Sequence, residues 1–166
     1  MAHQMKDVRD FLYRIQKDKD HDGKKTELKG PLGDRKNVLD LKILVAVDVS
    51  GSISSEQYRQ FMHQVDLIKG LSVIKILEVD TKVVALYDYI KTSKSRIARL
   101  GGGGGTEFSE AFQYAKKIKP DAILFMTDGF VCNPGSISDP GIPTGWILTP
   151  GGVKPYKFGD VVAKLP

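Results

Sequence analysis

LKILVAVDVSGSISSEQYRQFMHQVDLIKG, residues 41–70, is the stretch on which the fold turns. Residues 41–47 make an apolar, β-branched run of strand length that stops at Asp48, the pattern of a parallel strand buried on both faces. Behind it, Tyr58, Phe61, Met62, Val65 and Ile68 recur on one helical face, Ser54 and Gln57 have capping-box spacing, and Gly70 is a stop. Strand followed by amphipathic helix is the opening unit of an α/β sheet.

Toward the C-terminus the alternation continues. VIKILEVD (73–80) and KVVALYDYI (82–90) are two strands joined by a turn at Asp80-Thr81, which predicts a hairpin. Phe108, Ala111, Phe112, Ala115 and Ile118 mark the buried face of a second helix, ended by Pro120. AILFMT (122–127) is another buried strand, halted by Asp128-Gly129, and GWILT (145–149) with the tail around 161–165 completes the sheet. The expected fold is α/β and Rossmann-like, with a mostly parallel central sheet, one antiparallel edge strand and helices on both faces. No internal repeat is visible.

Toward the N-terminus, residues 1–40 are more densely charged than the rest and read as a charged helix and linker, ahead of a domain over 41–166. Val8, Phe11, Leu12 and Ile15 give that helix an apolar face, and KDKDHDGKKTELKGPLGDRK reads as a solvated connector. Asp18, Asp20, Asp22 and Gly23 also fit the start of an EF-hand loop, but Lys29 stands where the bidentate Glu belongs.

Composition narrows the class. A chain of 166 residues, 41% hydrophobic and 27% charged, fits one compact domain. Its apolar runs fall far short of the roughly 20 residues a membrane helix needs, and the charged start offers no signal core. A lone cysteine, Cys132, excludes an intrachain disulfide framework and points to a reducing cytoplasm. The net charge of +5 permits a nucleic-acid partner without requiring one. The basic clusters 94–99 and 116–119 lack interleaved aromatics, so nucleic acid is not the expected partner.

Polar residues gather at the expected carboxyl ends of strands, where open α/β sheets bind ligands. Asp48, Ser50 and Ser52 follow the first strand, Thr106 follows the glycine run 101–105, and Asp128 follows the strand at 122–127. These are five hard oxygen donors with no Cys or His among them, which favours Mg²⁺, or Mn²⁺ or Ca²⁺, over zinc or copper. The competing reading makes the same residues helix caps and turn formers, and Thr106 and Ser54 suit capping in any case. Asp80 either orients the site from behind or simply serves a tight turn, while Glu107 and Glu110 suit the positive end of a helix dipole. The glycine run is not a P-loop, because no Gly-Lys-Ser/Thr follows it.

DVSGS at 48–52, Thr106, and Asp128-Gly129 resemble the metal-ion-dependent adhesion site (MIDAS) of von Willebrand factor type A (VWA) domains. Ser52 precedes Thr106 by 54 residues and Thr106 precedes Asp128 by 22, in keeping with that motif. VDTKV, GGTEF, PDAILFMTDG, GWILT and PYKFGDVV are closer still to a VWA-like domain of bacterial or phage chains, found C-terminal to predicted metallopeptidases. The resemblance covers about residues 41–164. It implies that Ser50, Ser52 and Thr106 hold the ion directly or through water, and that Asp48 and Asp128 act chiefly through water or from behind. It also implies a protein partner whose Asp or Glu completes the site, such as an AAA-type ATPase or a peptidase-like protein. The peptidase's histidine motif does not occur here, so no proteolysis carries over. Two rival functions remain open: a metal-assisted hydrolase or phosphotransferase, and a structural subunit whose site is vestigial.

Overall fold

The structure is a computed structural model that describes residues 2–21, 41–68, 72–89, 106–135 and 137–166. Its elements are α1 (Ala2–His21), β1 (Lys42–Asp48), α2 (Ser55–Ile68), β2 (Val73–Val79), β3 (Val83–Asp88), α3 (Ser109–Ile118), β4 (Ala122–Thr127), β5 (Thr144–Leu148) and β6 (Asp160–Lys164). The strands form one sheet in the order β3-β2-β1-β4-β5-β6. The β2–β3 pair is antiparallel, with a bulge at Glu78/Val79; the other pairs are parallel. The expected hairpin is therefore the sheet's antiparallel edge.

Burial on both faces explains why the central strands read as continuous apolar runs. Ile43, Val45 and Val47 of β1 pack with the buried faces of α1 and α2, while Leu44 and Ala46 pack with α3 on the other side. At the edge, β3 alternates between half-buried and exposed residues. Beneath α3 lies an aromatic cluster in which Phe125 stands 4.4 Å from Phe108 and 5.2 Å from Trp146, centroid to centroid. The Trp146 indole is fully buried and donates to the Phe158 carbonyl at 3.0 Å, so its one polar atom is satisfied.

The N-terminal helix shares the core of the sheet. Val8, Phe11, Leu12 and Ile15 are buried in the same cluster as β1 and α2. Gly145 of β5 lies beneath this helix, where a Cβ would meet the Phe11 ring at 3.0 Å. Lys19 closes the contact with an ion pair to Asp121 at 3.1 Å. The EF-hand reading fails at its first positions, because Asp18 and Asp20 are still helical and Gln16 donates to Asp20 within α1 at 3.0 Å. An EF-hand chain leaves its helix as the loop begins. The remainder of that loop, the connector to residue 40, Gly70, the basic cluster 94–99 and the glycine run 101–105 lie outside the described residues.

Local chemistry sets the start of α2. The Ser54 hydroxyl accepts from Gln57 N at 3.1 Å, and the Gln57 side chain accepts from Ser54 N at 3.0 Å, a reciprocal capping box. Ser54→Ala is expected to lower stability by about 1 kcal/mol, read as a lower urea midpoint with an unchanged slope. No such cap serves α3: the Glu107 carboxylate accepts from Ser109 N at 2.8 Å, and Thr106 does not cap.

Candidate metal centre

The strand order reverses between β1 and β4, the point at which open α/β sheets bind ligands beyond the carboxyl ends of their strands. Parallel register pairs Val47 with Met126, so the two strands finish side by side, β1 at Asp48 and β4 at Thr127. The Thr127 hydroxyl donates to Asp48 Oδ2 at 2.6 Å and accepts from Gly129 N at 3.0 Å. One side chain thus ties the end of β1 to the loop that carries Asp128. Asp48 Oδ1 accepts from Ser50 N at 2.9 Å, folding the next residues back over the strand end. This turn brings the Ser50 and Ser52 hydroxyls within 3.1 Å of each other, Ser50 buried and Ser52 exposed.

Thr106 is held by its backbone. Its carbonyl accepts from Cys132 N at 2.9 Å, and Glu107 N donates to the Asp80 carbonyl at 3.1 Å. The segment is therefore fastened both to the loop after β4 and to the end of β2. The Asp80 carboxylate meanwhile accepts from Thr81 N and, at 3.0 Å, from Lys82 N, as the turn reading expects. Glu110 does more than sit at a helix start, since it accepts from Val83 N at 2.7 Å and holds α3 to the edge hairpin.

The electrostatics follow from burial. Asp48 is 0% exposed. Burial pushes its carboxyl above the ordinary carboxylate range, hydrogen bonds from Thr127 and Ser50 oppose that shift, and the charge of Asp128 adds to it. Asp128, also buried, accepts from Phe130 N at 3.1 Å. A divalent cation would relieve this crowding of acids. Adjacent oxygens around an octahedral Mg²⁺ with bonds of about 2.1 Å stand about 3 Å apart, close to the spacing of the serine hydroxyls. The described residues contain no group of three or more His, Cys, Asp or Glu suited to a metal, so hydroxyl oxygens would have to supply much of any shell. The donor set fits a hard cation.

Thr127 belongs to the polar cluster at the end of β4, but the sequence reading gives it no role of its own. Its signal is a polar side chain closing an otherwise apolar strand, directly before Asp128-Gly129. His63 and Cys132 are exposed, and no described helix is long and apolar enough to cross a membrane.

A six-stranded, mostly parallel sheet with one antiparallel edge and helices on both faces defines a VWA-like fold. The chain belongs to the VWA-like domain family (DUF2201), whose model matches residues 43–164. It is also similar to an uncharacterized protein of Thermotoga maritima, 26% identical over 91 residues, a stretch covering 53% of this chain and 23% of that protein.

Proposed function

We propose that the chain is a divalent-cation-dependent protein-binding module with a MIDAS-type site completed by a partner's Asp or Glu. The observation that carries this reading is the hydrogen-bonded joining of two strand ends: Asp48 is tied by Thr127 to the Asp128 loop, with Ser50 and Ser52 paired beside it. Ser50, Ser52 and Thr106 would hold Mg²⁺, Mn²⁺ or Ca²⁺ directly or through water, and Asp48 and Asp128 chiefly through water. When bound, the ion supplies a Lewis-acid centre for an external carboxylate. Neutral hydroxyls neutralise none of its charge, which favours an incoming acid over a further water. The family resemblance suggests an AAA-type ATPase or a peptidase-like protein as the partner, and the single free cysteine suits a cytoplasmic setting.

Calorimetric titration with Mg²⁺ and Mn²⁺ tests the reading. Wild-type protein is expected to bind with measurable heat, and Asp48→Ala and Thr106→Ala to bind at least about ten-fold more weakly, or about 1.4 kcal/mol. Equal heats in all three proteins overturn it.

A further inference from the structure

Two residues with exposed apolar side chains are bound through their backbones to Asp128 of the proposed site. Phe130 is 60% exposed although its N–H is bound to the Asp128 carboxylate at 3.1 Å. Val153 is 46% exposed although its N–H is bound to the Asp128 carbonyl at 2.9 Å. Single exposed apolar residues are ordinary on a protein surface. These two come from separate loops and are anchored to opposite ends of the same aspartate. The bulkier is an aromatic, a residue class enriched in the buried core of protein interfaces.

Resting on the metal-dependent reading above, we infer that Phe130, supported by Val153, is the specificity-determining residue of the site. It selects a protein segment in which the metal-binding Asp or Glu stands within two residues of a bulky apolar side chain. The chain's net charge of +5 favours approach of such an acidic segment. The carboxylate alone would give little discrimination, because every acidic surface offers one. An apolar neighbour seated on Phe130 removes both surfaces from water and adds the missing selectivity.

The experiment uses a randomised peptide library with one fixed glutamate, probed with the full chain in Mn²⁺ and again in chelator. A direct Mn²⁺ titration of wild type, Phe130→Ser and Val153→Ser runs in parallel. Wild type is expected to enrich aromatic or large aliphatic residues beside the glutamate, in Mn²⁺ only. Phe130→Ser should reduce that enrichment by roughly ten-fold, Val153→Ser by less, with Mn²⁺ affinity unchanged in both. Metal binding without any metal-dependent selection, or with a selection indifferent to Phe130, overturns this inference and leaves the metal reading standing. Absence of Mn²⁺ binding by wild type overturns both.

Discussion

Gly129→Ala is expected to destabilise the chain by about 3–5 kcal/mol, near the top of the range for one substitution, and to lower its melting temperature by about 10 °C. Gly129 sits at φ +81°, a region L-residues rarely adopt, and a Cβ there would overlap the Val153 carbonyl oxygen. Backbone strain of about 1–3 kcal/mol adds to a steric conflict that only backbone movement can relieve. Such movement carries Val153 away from Asp128 and disturbs the hydroxyl bridge from Thr127 to Gly129 N. Calorimetric melting checks the result; a variant melting within 2 °C of wild type, on the order of 1 kcal/mol, contradicts it. Gly141, also at positive φ, is the control, because a Cβ there meets nothing within 4 Å.

Asp48→Asn is expected to separate stability from metal binding. The buried carboxylate has a raised pKa, so its folded form holds a proton more tightly than its unfolded form. Its contribution is therefore present below the ordinary value of 3.8 and is lost as pH rises through the folded pKa. Asparagine keeps an acceptor for Ser50 N and carries no charge. The metal-free variant should gain on wild type as the pH is raised from acid toward neutral, followed by denaturant unfolding at a series of pH values. Mg²⁺ at a hundred times the wild-type Kd should stabilise wild type by about 2.7 kcal/mol and the variant, binding at least about ten-fold more weakly, by about 1.4 kcal/mol or less. A variant that loses ground as pH rises, or that keeps the full Mg²⁺ effect, counts against the role given to Asp48.

Much of this was legible in the sequence, for physical reasons. Residues buried on both faces of β1 and β4 write their strands as apolar runs, and the one-sided faces of α2 and α3 write theirs as helical periodicity. The ends of those runs located Asp48 and Asp128. The capping box at Ser54 and Gln57 is local chemistry at fixed spacing and was equally readable. What was not readable depends on contacts distant in the chain. The Asp80 carbonyl serving Glu107 N and Glu110 holding Val83 N have no signature in local pattern, and Thr127, which ties the end of β1 to the loop after β4, shows in the sequence only as a polar residue closing an apolar strand. The connector is expected to begin at Lys17, but charge density says nothing of where a helix ends, and α1 runs through Asp18 and Asp20 to His21.

The pairing of β1 with β4 has a kinetic consequence. Asp48 and Thr127 are 79 residues apart, yet they sit on neighbouring strands at the middle of the sheet. Closing so large a loop costs entropy before any contact repays it. Refolding should therefore run on the order of milliseconds to seconds, as for chains dominated by non-local pairing, and slower than a helical bundle of equal length. The proposed site exists only once that central pair has zipped, so its occupancy would double as a reporter of the finished fold.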